Sequence, residues 1–308
     1  MWAASVFPEA DVTDPVLARP PARPKRLAYL GTPDVAVEPL RALVGAGFDV
    51  VLVISGPDKR RGRGGSLSPS PVKAAALELG LTVSDSLGDV LEADVDLAVV
   101  VAYGRIIPAA ILARIPMINI HFSLLPRWRG AAPVERALLA GDTETGVCVM
   151  DVGVELDTGG VHARSTTAIS PDDTLESLRA RLVDLGSRLL VDTLGTGLGE
   201  VEPQSGDVSY AAKIRPEERE IEWSASASDL DRLVRLGGAW TRFRGKRLKI
   251  HEATVVTGAG EPGVIDGLVV TCGDGALELR IVQPEGRGRI DAASWRNGVH
   301  LTPEDRLG

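Results

Sequence analysis

The chain has 308 residues, enough for two domains that each bury a core. With 44% apolar and 25% charged residues it has the composition of a globular protein rather than a disordered one. The net charge of -8 argues against a surface coated in basic residues for indiscriminate nucleic-acid binding, and the longest apolar runs, such as 97-LAVVVAYG-104, are too short to span a bilayer.

Residues 1 to 26 begin with a Pro- and Ala-rich stretch that has no sustained period and read as a flexible extension, with no secretory pattern at its start. From there strand and helix alternate: RLAYLG, the helical DVAVEPLRALVGAG, FDVVLVIS, PVKAAALELG and DLAVVVAYG. Near-continuous apolar strands separated by amphipathic helices predict an α/β fold with an open, mostly parallel, Rossmann-like sheet covered on both faces. INIHFS is the next strand, VERALLAG a helix, TGVCVMDV and GGVHARSTTAI two strands, and residues 172–198 a long helix with an acidic first turn. The polar stretch 199–220 lacks apolar periodicity and holds the linker, so the expected divisions are 27–203 for the first domain and 204–308 for the linker plus a second domain. That second domain shows one short helix, 226–238, and then short apolar runs broken by Gly-containing turns, the pattern of a small antiparallel β-domain or barrel.

The chemistry-bearing residues are few. The first strand leaves through 30-LGTPD-34, where a single glycine falls short of the dinucleotide fingerprint. Cys148 and Cys272 stand apart with no metal-ligand spacing and read as small apolar residues in a reducing cytoplasm, and four scattered histidines give metal catalysis little support. In INIHFS, Asn119 and His121 project from one strand face, toward the strand end where ligands bind in such sheets. A core histidine satisfied by its neighbours is the readier explanation of His121 at this point. Asp157, in 155-ELDTG-159, is the best candidate carboxylate, although a turn-forming Asp before Thr-Gly is the plain alternative. Together the three suit group transfer to an amine: Asn119 and a protonated His121 stabilise an oxyanion while Asp157 orients the ring.

Two basic clusters stand out from the acidic whole. Lys59, Arg60, Arg61 and Arg63 lie in the Gly-rich 56-GPDKRRGRGGS-66, and Arg232, Arg235, Arg242, Arg244, Lys246, Arg247 and Lys249 lie between Asp231 and Glu252 with no acidic residue among them. Either cluster taken alone is as readily a solvated face.

The segments 30-LGTPD-34, 57-PDKRRGRGGSLSPSPVK-73, 119-NIHFSLLPRWRGAAP-133, 145-TGVCVM-150, 156-LDTG-159, 210-YAAKI-214 and 245-GKRLKI-250 resemble the methionyl-tRNA formyltransferase family from about residue 27 to the closing NGVHLTPEDRLG. Asn-x-His followed by Ser-Leu-Leu-Pro belongs to formyltransferases at large, whereas Arg-Trp-Arg-Gly-Ala-Ala-Pro and the basic loop are narrower signals. One departure is 232-RLVRLGGAWTRF-243, shorter than the family pattern before Gly-Ala-Trp. The resemblance implies a cytoplasmic, metal-free enzyme of one-carbon metabolism that moves a formyl group from 10-formyltetrahydrofolate to the α-amine of initiator methionyl-tRNA, as translation initiation requires. It implies catalytic roles for Asn119, His121 and Asp157, and folate contacts from Ser123, Leu124, Leu125 and Pro126. It also implies tRNA contacts from Lys59, Arg60, Arg61, Arg63, Arg242, Arg244, Lys246, Arg247 and Lys249, and an OB-like second domain. A sugar or amino-acid formyltransferase, a formyl-folate hydrolase and a noncatalytic RNA-binding protein on the same fold are the rival readings.

Overall fold

The structure, a computed structural model, describes residues 16–61 and 65–308. In chain order the first domain runs β1 (Arg26–Gly31), α1 (Val37–Gly45), β2 (Asp49–Ile54), the hairpin β3 (Lys59–Arg61) and β4 (Ser66–Ser68), α2 (Pro71–Glu78), β5 (Val83–Ser84), β6 (Leu97–Val101), α3 (Ala109–Leu112) and β7 (Met117–His121). It continues through β8 (Arg129–Gly130), α4 (Pro133–Ala140), β9 (Glu144–Asp151), β10 (Val161–Ala168) and the 22-residue α5 (Leu175–Thr196). Seven strands form one sheet in the order β10-β9-β7-β6-β1-β2-β5. The pairs among β5, β2, β1, β6 and β7 are parallel, and β9 and β10 are added antiparallel at the β7 side.

The strand sequences dictate this layering. LAVVV in β6 is buried along its whole length, because side chains on both faces meet helices. One face packs Leu27, Tyr29, Val99, Ile118 and Val147 against α1 and α5, and the other packs Ala28, Leu30, Ala98, Val100 and Met117 beneath α3. The helix α5 starts at Thr174, whose hydroxyl accepts from the Ser177 amide while Ser177 accepts in return, a reciprocal cap. Gly186 lets this helix lie close on the sheet: a methyl group there would meet Ile120 and Val147 at 3.1 Å.

Of the expected flexible extension, residues 1–15 fall outside the described residues, but 16–25 depart from the expectation. The Ala18 amide donates to the Leu112 carbonyl and the Leu198 amide to the Ala22 carbonyl, and Leu17 packs on the core beneath α3. Backbone pairing and apolar contact hold what composition alone presented as a loose tail.

The second domain contains α6 (Ala227–Leu236), β12 (Trp240–Phe243), β13 (Lys246–Val256), β14 (Ile265–Asp266), β15 (Val269–Thr271), β16 (Ala276–Pro284), β17 (Ile290–Asp291) and α7 (Ala292–Val299). The short β11 (Tyr210–Ala211) of the connecting segment precedes them. The sheet is antiparallel, in the order β12-β13-β16-β15-β14, with β17 on β16. Leu307 bridges to Phe243 of β12 and Arg306 to Val264 beside β14, so the C-terminal residues join the sheet's two edges. Its core gathers Trp223, Leu230, Leu233, Phe243, Ile250 and Trp295, with Phe243 and Trp295 in an edge-on pair at 5.1 Å.

Leu138 of α4 belongs to that second core, and helices α4 and α6 pack together. Arg232 donates to the Leu139 carbonyl at 3.1 Å, Arg235 to the Asp173 carbonyl at 2.8 Å, and Arg136 pairs with Glu218 at 2.7 Å. Arg232 and Arg235, counted with the basic cluster from sequence, therefore serve the domain junction. Their guanidinium groups are turned inward by carbonyls and by Asp229 and Asp231.

Candidate active site

The C-terminal end of β7 carries Asn119 and His121 on one face, with Asn119 opposite Met150 and His121 opposite Cys148 of β9. Asn119 is partly exposed and His121 is buried, at 5% exposure. Asp157 comes from the turn between β9 and β10 and takes the left-handed conformation, φ 53°, which Asp tolerates better than most residues. The turn closes on Gly159, where a Cβ would stand 1.9 Å from the Asp151 carbonyl oxygen, so no other residue fits. Asp157 Oδ2 thereby reaches within 3.6 Å of His121 Nδ1.

Groups from the loop after β7 complete the setting. His121 Nε2 lies 2.9 Å from the Trp128 carbonyl oxygen, and since a carbonyl only accepts, Nε2 carries the proton in this arrangement. The Gly130 amide donates to Asp157 Oδ2 at 2.8 Å. Trp128 is itself left-handed, φ 63°, held by its amide on the Ser209 hydroxyl and by its indole N–H on Asp142. Burial pushes the His121 imidazole below its ordinary value, against the opposing pull of the Asp157 carboxylate and the Trp128 carbonyl. Burial therefore works against a cation on this ring, while the carboxylate beside it, beyond hydrogen-bond range, works for one.

The Ser-Leu-Leu-Pro segment is turned inward more than expected of a ring-packing surface. Ser123 is fully buried and its hydroxyl donates to the Arg127 carbonyl at 2.6 Å. Leu125 packs with Cys148, Met150 and Val161, and Pro126 is buried behind a cis peptide bond. Leu124 is the partly exposed side chain of the four. Among the described residues no group of three or more His, Cys, Asp and Glu is arranged to hold a metal ion.

The two basic clusters fare differently. Lys59 and Arg60 are exposed on the β3–β4 hairpin, whose strand β3 ends at Arg61, whereas Arg63 lies outside the described residues. On the second domain, pairing of Trp240 with Lys249 and of Arg242 with Arg247 puts three cations on one face of the β12–β13 hairpin. Arg247 stacks over the Trp240 ring at 4.0 Å and Arg242 lies 5.5 Å from the same ring, so the indole keeps both guanidinium groups raised at the surface. Lys246 is exposed at the turn. Arg244 differs: Nε and a terminal nitrogen grip Asp305 at 2.7 and 2.6 Å, and the remaining nitrogen donates to the Val299 carbonyl. Its side chain is half exposed, and its charge is already paired with Asp305.

Sequence reasoning missed Gln204, Trp128 and Gly130. The latter two act through backbone groups that no residue type announces. Gln204 sits in a stretch without period, so only the Arg-Trp-Arg-Gly run carried any signal of this loop.

A buried imidazole beside a carboxylate, with an amide two residues away at the end of a mostly parallel sheet, has the chemistry that group transfer without a side-chain nucleophile requires. Residues 25–194 match the family described as formyl transferase, and residues 213–300 its C-terminal domain, so the chain belongs to the formyl transferase family. Within it the similar curated relatives are methionyl-tRNA formyltransferases. That of Jannaschia sp. (strain CCS1) is 46% identical over 90% of this chain and 98% of its own length, and that of Dechloromonas aromatica (strain RCB) 42% identical over 92% and 98%. The N-formyltransferase of Helicobacter canadensis, solved with folinic acid and dTDP-3-aminofucose, shares the fold with a TM-score of 0.65 at 18% identity, covering 84% of this chain and 98% of that one.

Proposed function

We propose that the chain transfers the formyl group of 10-formyltetrahydrofolate to the α-amine of methionine carried on initiator tRNA, in the cytoplasm, for translation initiation. The observation that carries this reading is the buried His121 ring with a hydrogen-bond acceptor or carboxylate beside each nitrogen. The methionyl-tRNA formyltransferase relatives at 40 to 46% identity supply the acceptor.

In this reading the amine attacks the formyl carbon and a C–N bond forms. The carbonyl oxygen takes the negative charge and accepts a hydrogen bond from the Asn119 amide. His121 takes the amine proton at Nδ1, and the resulting imidazolium is met by the Asp157 carboxylate and the Trp128 carbonyl. The bond from carbon to N10 of the folate then breaks, and N10 receives the proton. Leu124 and the backbone of residues 123–126 line the folate side. Lys59, Arg60, Arg61 and Arg63, with Arg242, Lys246, Arg247 and Lys249, meet phosphates of the tRNA, contacts that position the acceptor rather than identify it.

The test is to incubate the protein with 10-formyltetrahydrofolate and charged initiator tRNA and to measure formylmethionine. Formylation of a small free amine with no formylation of the tRNA would replace this reading with a small-amine transferase.

A further inference from the structure

We propose that Gln204 is a positioning residue that locks the Asp157 turn from the segment joining the two domains. Its side-chain amide nitrogen donates to the Asp157 carbonyl at 2.8 Å and to the Gly159 carbonyl at 2.7 Å. Its oxygen accepts from Nε and a terminal nitrogen of Arg129, at 3.0 and 2.6 Å. Every donor and the acceptor of this amide are therefore used. Gln204 is half-buried while its neighbours from 201 to 208 are exposed, so the segment dips toward the first domain at this side chain.

The consequence lies in what the two ends hold. At one end is a residue in the left-handed conformation, which costs energy outside glycine and persists where surroundings fix it. At the other is Arg129, the neighbour of both Trp128 and Gly130, the residues whose backbone groups hold His121 and Asp157. The same segment reinforces the arrangement: Ser209 accepts from the Trp128 amide through its hydroxyl and from the Arg129 amide through its carbonyl, and the Ala131 and Ala132 amides donate to the Ala211 carbonyl. The segment that leads to the basic second domain thus sets the distance between His121 and Asp157.

This inference rests on the proposed function only for its kinetic arm. Gln204→Glu keeps the acceptor for Arg129 but sets a carboxylate against two carbonyls, and Gln204→Met keeps the length and removes all four bonds. With Asp157 displaced, its carboxylate no longer raises the affinity of His121 for a proton. NMR titration of the four histidines, assigned with His121→Ala, should then show the His121 midpoint move toward lower pH, in the direction of Asp157→Asn. Turnover should fall by about 10- to 100-fold, as for a misplacement of about 1 Å, with the folate KM within about twofold. A folded Gln204→Met or Gln204→Glu with the wild-type His121 midpoint overturns the proposal. The titration decides this even if methionyl-tRNA is not the acceptor, because it uses no substrate.

Discussion

His121 Nδ1 stands 3.6 Å from Asp157 Oδ2, too far for a hydrogen bond yet close enough for the carboxylate to favour a charge on the ring. Burial opposes that charge and is the larger influence, so the ring binds a proton less readily than a free imidazole. The acid limb of the kcat/KM profile should therefore have its midpoint below the ordinary imidazole value of about 6.5. The neutral form is the active one, so activity rises with pH through that midpoint, and Asp157→Asn should move it lower still. Stopped-time formylation assays from pH 4.5 to 8 provide the check; a midpoint above the ordinary value would contradict burial as the larger influence on His121.

His121→Ala should lower turnover by about 100-fold or more, the usual scale for removing a group that acts in the transition state. The fold should survive, as judged by the thermal transition. Asn119→Ala should also depress turnover, and a loss confined to the folate KM would reassign the amide to holding the donor.

Leu125→Ala should cost about 2–5 kcal/mol of stability, since the side chain is 3% exposed and closes a cluster with Cys148, Met150 and Val161. Denaturant unfolding measures this. Weakened folate binding in this variant should track the fraction unfolded, whereas Leu124→Ser should weaken folate binding at constant stability.

Arg242→Ala and Arg247→Ala should each reduce the log-log salt slope of tRNA binding by about one unit if both reach phosphates. Arg244→Ala should leave the slope unchanged and lower the melting temperature, because it strands Asp305, whose side chain is 8% exposed. Binding measured at several salt concentrations separates the two behaviours.

At the domain junction, Arg136 and then the Arg215 amide hold the Glu218 carboxyl down at about 2. The folded value lies below the unfolded one, so the stabilisation is complete above the usual glutamate value of about 4.3 and is lost as pH falls toward that depressed value. Glu218→Gln should flatten the dependence of the melting temperature on pH across that window.

Much of this architecture was legible because apolar runs and helical periods are local signals. β6, α5 and α6 lie close to where LAVVV, the 172–198 stretch and the 226–238 stretch placed them. The shared face of Asn119 and His121 was legible through strand alternation, and the place of Asp157 in a turn between two strands was legible too. What escaped was nonlocal. The ion pair of Arg244 is made by a residue 61 positions away, and the inward turn of Leu125 comes from contacts with Cys148 and Met150 of β9. The lowered proton affinity of His121 follows from burial, which no spacing rule reports.

The bridges from Arg306 to Val264 and from Leu307 to Phe243 have a consequence for the molecule's life at high concentration. A sheet margin is a row of backbone amides and carbonyls ready to pair with another chain, and on the β12 side the Ile221 amide already covers Trp240. With the Leu307 amide on the Gly263 carbonyl and the Gly308 amide on the Arg242 carbonyl, a few residues occupy both margins at once. The protein thus carries its own guard against edge-to-edge aggregation, beside the cations of its β12–β13 face.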